Sequence, residues 1–128
     1  MFLIFRRDGA KDWTSNLQIS LNHQGHQHKL QFHHIFPQAV LKPHYSTREI
    51  NDIANLAFIG GKTNRKIWKN PPESYFQEIL DKQGSACFQK QCIPTAAEVL
   101  KITEYPQFLV ERRSQIASRI NAFLEAII

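Results

Sequence analysis

Two adjacent histidines, His33 and His34, stand near the head of the stretch QFHHIFPQAVLKPHYSTREINDIANLAFIGGKTNRKIWKNPPESY, residues 31–75. A histidine pair can be a metal site, a catalytic site, a pH switch or an accident of composition, and the residues placed at the right distances downstream decide between them. Here those residues are an Asn-Leu step at Asn55 and a Thr-Asn-Arg step at Asn64. Beside a metal ligand, a histidine suits metal-assisted hydrolysis, in which the ion neutralises developing charge and a base takes the proton of the attacking water. Histidine suits the base, because an unperturbed pKa of about 6.5 leaves much of it neutral near pH 7. Successive strand side chains point to opposite faces, so His33 and His34 are expected to divide the labour rather than chelate one ion together.

Several elements must position these residues. HKLQFHH alternates polar and apolar, with Leu30 and Phe32 on one face, and predicts a strand ending at the histidines. NLAFIGG predicts a second strand closed by Gly60 and Gly61, whose missing side chains suit a turn or a close backbone approach. Between them Ser46 and Glu49 form a capping box ahead of Ile50 and Ile53. Asn70 with Glu73, and Pro71 at the first helical position, predicts another helix start, and Thr95 with Glu98 a third. After Thr103 a long helix is expected to run to the C-terminus, with Leu109, Ile116, Ile120, Phe123 and Ile127 at helical spacing as core or partner surface.

A short helix fits between Gly61 and Pro71, and about 100° per residue sorts its side chains into two arcs. Lys62, Arg65, Lys66 and Lys69 share one arc, four cations without an acid, which favours phosphate contact over a merely solvated face. Asn64, Ile67 and Trp68 fall on the opposite, core-facing arc, so Trp68 reads as core rather than as a base-stacking platform. Asn55 doubles as a turn residue, and His44 and Asn51 read as solvated or capping. The patch NHQGHQH at 22–28 reads as a loop whose His23, His26 and His28 stand outside the site.

Strand, histidine pair, long connection, strand, glycine turn and a helix with an inward asparagine together resemble the HNH endonuclease family. The resemblance is closest over residues 29–75 and is carried by HHIFP at 33–37, Asn55-Leu56 and KTNRKI at 62–67. Within that family it is to the C-terminal HNH domains of bacterial modification-dependent restriction proteins, which GAKDW at 9–13 and FLVERRSQIASRINAFL at 108–124 also resemble. The resemblance implies an α+β fold: a ββα-metal core of short hairpin and metal-binding helix, with further helices around it and a long C-terminal one. It implies His33 and Asn64 as metal ligands, His34 as general base, and Asn55 as the residue holding that base in orientation. One divalent ion is implied, magnesium or manganese first, with nickel or zinc as alternatives, since imidazole in place of a carboxylate weakens the preference for magnesium. The expected function is DNA cleavage in restriction or phage defence. The rival readings are a non-cleaving nucleic-acid-binding module and a protein-interaction domain.

The 128 residues make one domain's worth of chain, with a motif core over 29–75 and a helical part over 76–128. A formal charge of +5 and a pI near 9.4 suit an anionic partner. The run MFLIF is too short, and its arginines come on the wrong side, for a secretory signal; no later run approaches a membrane span. A cytoplasmic location is therefore expected. The same apolar start, with no capping signal, suggests a fragment or C-terminal domain of a larger nuclease whose exposed face seeks an N-terminal domain or partner subunit. Cys87 and Cys92 form a lone pair of thiols, which excludes a four-cysteine zinc site and reads as incidental.

Overall fold

The computed structural model describes residues 1–20 and 29–127, so the loop expected at 22–28 lies outside the described residues. The fold is α+β. The two β-prone runs form strands β1 (Leu30–His34) and β2 (Leu56–Gly60), paired antiparallel with His33 opposite Ala57 and His34 opposite Leu56. The connection between them carries α2 (Gln38–Leu41), α3 (Thr47–Ile50) and a 3-10 turn over Ile53–Asn55. At α3 both halves of the predicted capping box are present: Glu49 N–H donates to Ser46 Oγ at 3.2 Å and Ser46 N–H to Glu49 Oε1 at 3.0 Å.

β2 runs directly into α4 (Gly61–Ile67), without a left-handed turn, since Gly60 has φ −75°. Gly60 N–H donates to Asp12 Oδ1 at 2.7 Å, and Asp12 Oδ2 accepts from the Thr63 hydroxyl at 2.5 Å and from Ser15 N–H at 2.9 Å. Burial pushes the Asp12 carboxyl up, but the bonds from Thr63, Ser15, Gly60 and Thr14 outweigh it and hold the group below its usual range. The segment after α1 (Phe2–Arg7) is thereby pinned to the start of α4.

The remaining helices are α5 (Pro72–Gln83), α6 (Ala86–Gln89) and α7 (Tyr105–Ile127). The predicted helix start at Asn70 moves by one residue. Pro71 is extended and is itself the cap, Pro72 takes the first turn, and Asn70 makes no cap bond. Thr95 and Glu98 form no capping box either, because the chain there makes only a 3-10 turn, Ala97–Val99, preceded by Ala96.

α7 buries Leu109 and Ile116 as expected, yet Ile127 at its far end is exposed, the described core having been left behind. Its buried face also carries Arg112, fully buried, whose guanidinium donates to the carbonyls of Gln91, Ala54 and Leu56. The Gln91 amide spans Phe58 N–H and C=O at 2.8 and 2.7 Å, taking the place of a third strand on the free edge of β2.

Two apolar clusters flank the hairpin. One gathers Trp13, Ile35, Phe36, Ala57, Ile59, Tyr75, Phe76, Phe88 and Phe108, and the other Phe5, Phe58, Cys92 and Ile116. In the opening run Ile4 and Phe5 are buried in this core while Leu3 is exposed. Both cysteines are buried free thiols. Among the described residues no helix is long and apolar enough to cross a membrane.

Candidate functional site

β1 is inverted relative to the usual amphipathic strand. Phe32 is 64 % exposed and His33 only 2 %. The face bearing Gln31 and His33 turns toward α4 and α5, where Trp13 meets the His33 ring edge-on at 5.3 Å. A polar side chain buried this way must find partners. Asn64 Oδ1 lies 2.9 Å from His33 Nδ1, His33 Nε2 lies 3.2 Å from Tyr75 Oη, and Tyr75 Oη donates to the Ile35 carbonyl at 2.8 Å. Asn64 Nδ2 donates to Gln31 Oε1 at 2.7 Å, which turns its Oδ1 toward the histidine.

The protons along this chain do not add up. It has three contacts, from Asn64 through His33 and Tyr75 to Ile35, but a neutral imidazole and a phenol bring only one proton each. Protonating His33 would complete the chain, but burial lowers its pKa to about 4. The bond to Asn64 opposes that shift and the neighbouring His34 adds to it. At neutral pH the ring is therefore neutral. The one ring proton sits either on Nδ1, where it satisfies Asn64 Oδ1, or on Nε2, where it satisfies Tyr75; in the second tautomer His33 Nδ1 and Asn64 Oδ1 face each other as two lone pairs. Swapping the Asn64 and Gln31 amide ends would resolve the clash without an ion; a cation would resolve it by using both lone pairs. Cis donors at 2.0–2.1 Å on an octahedral ion sit about 3 Å apart, close to the separation here. The donor set thus fits a divalent ion, with the remaining positions open to water or phosphate oxygen. Among the described residues no group of three or more His, Cys, Asp or Glu forms a closed site.

His34, the next residue, faces the other way. Its Nε2 lies 2.9 Å from Asn51 Oδ1 and 3.4 Å from Gln38 Nε2. When Nε2–H donates to Asn51, the lone pair stays on Nδ1. The two rings therefore meet different partners, as alternation along a strand requires.

The Asn55 side chain hydrogen-bonds to neither histidine. Fully buried, it accepts from Phe36 N–H at 2.8 Å and donates to the carbonyls of Phe36 and Ile50 at 3.1 and 3.0 Å. Its backbone carbonyl accepts from Ile35 N–H at 2.8 Å. It therefore fixes the chain leaving the histidine pair, and the side chain that meets His34 is Asn51, which reads from sequence as merely solvated or capping. Tyr75 also escapes a reading of the sequence. Nothing in the chain's local pattern marks either residue, since Asn51 lies 17 positions from His34 and Tyr75 lies 42 positions from His33.

His33, His34 and Asn64 open onto one groove of about 390 Å³, lined also by Phe32, Gln38, Lys42, Trp68 and Lys69. The four cations do not all line this groove. All four residues are exposed, but only Lys69 lines this groove, whereas Lys66 lines a separate one beside Glu78. Trp68, expected in the core, is 69 % exposed, because α4 ends at Ile67 and the next residue takes φ 50°, so helical extrapolation stops one residue short of it. Comparison of the chain with protein-family models, curated proteins and solved structures gives no match.

Proposed function

We propose that the protein is an HNH-type endonuclease that hydrolyses phosphodiester bonds in DNA with one divalent metal ion. The observation that carries this reading is the meeting of two potential metal ligands, His33 Nδ1 and Asn64 Oδ1, 2.9 Å apart in a groove that also holds His34. In this reading His33 and Asn64 hold the ion. When bound, the ion supplies charge neutralisation at the phosphate and stabilisation of the leaving oxygen. Tyr75 lies against His33 Nε2 and holds the ring with Nδ1 turned toward Asn64. His34 Nδ1 takes the proton from the attacking water, while Asn51 holds the opposite nitrogen and with it the plane of the ring. Lys42 and Lys69 line the same groove and meet the backbone phosphates. Asn55 acts one step back, by fixing the backbone at Phe36.

The antiparallel hairpin followed at once by α4 agrees with the ββα-metal arrangement, and the basic net charge agrees with a nucleic-acid partner. A cytoplasmic role in restriction or phage defence follows from the resemblance of the HHIFP and KTNRKI segments. The test is incubation of supercoiled plasmid with the protein and a panel of magnesium, manganese, nickel and zinc. Nicked or linear product that disappears with chelator is expected. Retardation without cleavage would establish the non-cleaving module instead, and neither effect would leave an interaction domain.

A further inference from the structure

The backbone at Trp68 is as informative as its ring. Residues Ile67 to Asn70 form a turn closed by Asn70 N–H donating to the Ile67 carbonyl at 3.1 Å, and Trp68 occupies its first central position with φ 50° and ψ −118°. Those are type II′ angles, at a position that glycine dominates because a Cβ is strained there. The chain thus holds its largest kind of side chain in an unfavourable conformation, and with 69 % of the residue exposed it gains little burial in return. Strain of this sort persists where function uses it.

The surroundings indicate which ligand would use it. Phe32, the other exposed aromatic of the groove, lines it together with Lys42 and Lys69, and no carboxylate is among the lining residues. Lys69 Nζ stands 4.8 Å from the centre of the Trp68 ring. Exposed aromatic faces beside cations match a nucleotide, whose base stacks while its phosphate meets the charge. A paired base in an intact duplex has no free face to offer.

We infer that Trp68 is a stacking platform for an unpaired nucleobase, so that the substrate class is DNA carrying a single-stranded or extruded nucleotide beside the cleavage site. This rests on the nuclease reading, which identifies the groove as the DNA site, but its test does not depend on cleavage. In chelator, fluorescence anisotropy measures the binding of a labelled single strand of about 12 nucleotides and of the matching duplex. Glycine suits the turn, so Trp68→Gly is expected to fold with an unchanged or higher Tm. It should bind the single strand about 5- to 150-fold more weakly, with duplex affinity altered by less than about twofold. Trp68→Phe should fall between wild type and Trp68→Gly. Single strand should quench the tryptophan emission of the wild type but not of Trp68→Gly, whose remaining Trp13 is buried. Undiminished single-strand affinity in Trp68→Gly, an equal loss for duplex, or a lowered Tm would each overturn the inference. Plasmid cleavage by the wild type separates the two readings. Stacking without cleavage refutes the nuclease and keeps the platform, whereas cleavage without stacking does the reverse.

Discussion

Replacing Asn55 by alanine should unsettle the protein more than any other polar substitution near the site. The side chain is fully buried, and its loss strips the Phe36 N–H of its acceptor and removes one donor each from the Phe36 and Ile50 carbonyls. A buried donor left bare costs about 1–3 kcal/mol, and carbonyls, having two lone pairs, cost less each. The sum is about 3–5 kcal/mol, a large share of the roughly 5–15 kcal/mol that holds a domain of this size together. In thermal unfolding that corresponds to a fall in Tm on the order of 10–20 °C. Urea denaturation measures the difference directly. The control is Asn51→Ala, which removes an exposed residue's bond to His34 and should change stability by less than about 0.5 kcal/mol. A loss below about 1 kcal/mol for Asn55→Ala would refute the reasoning, because the three bonds would then be replaceable.

The neutral state of His33 makes stability depend on pH. Its folded pKa of about 4 lies below the ordinary histidine value of 6.5, so its contribution is fully present above pH 6.5 and is lost as pH falls through 4. About 3 kcal/mol should disappear between pH 7 and pH 4, a slope that His33→Phe should flatten in urea titrations at the two pH values. On the basic surface, Lys69→Glu should weaken DNA binding and reduce its dependence on salt, and more so than Lys66→Glu, because Lys69 alone of the two lines the histidine groove. Filter binding over a salt series checks this, and equal effects would return the whole arc to a general electrostatic role.

The hairpin, the capping box at Ser46 and the inward asparagine of α4 were legible in the sequence, because each is set by neighbours a few residues apart. Alternation, the Ser-x-x-Glu spacing and a 100° step all act locally. The same local rules failed at Trp68, where one left-handed residue ends the helix and turns an expected core side chain outward. They failed again at Asn70 and Thr95, whose capping patterns were present but whose turns are capped one residue later, at Pro71 and Ala96. The expected cation arc also breaks at the end of α4, because Lys69 lies beyond it and lines the histidine groove while Lys66, on the helix, lines another. Arg112 illustrates the hardest case. A charged residue in a helix reads as solvent-facing, yet this one is buried against carbonyls of residues about 60 positions earlier, and no local pattern announces such a partner. Its pKa is pulled down by burial to about 10, so it remains charged at neutral pH and clamps the segment around Asn55 to α7.

The central claim, that adjacent histidines divide metal binding from proton transfer, is tested most directly by calorimetric titration of manganese into His33→Ala, Asn64→Ala and His34→Ala, with DNA cleavage measured on the same preparations. His34→Ala should bind the ion nearly as the wild type does while losing about 100- to 10,000-fold in cleavage rate, the usual cost of a missing general base. His33→Ala and Asn64→Ala should lose the ion itself. If His34→Ala loses the metal and His33→Ala retains it, the two roles are reversed, and if both variants cleave at the wild-type rate, the mechanism is wrong.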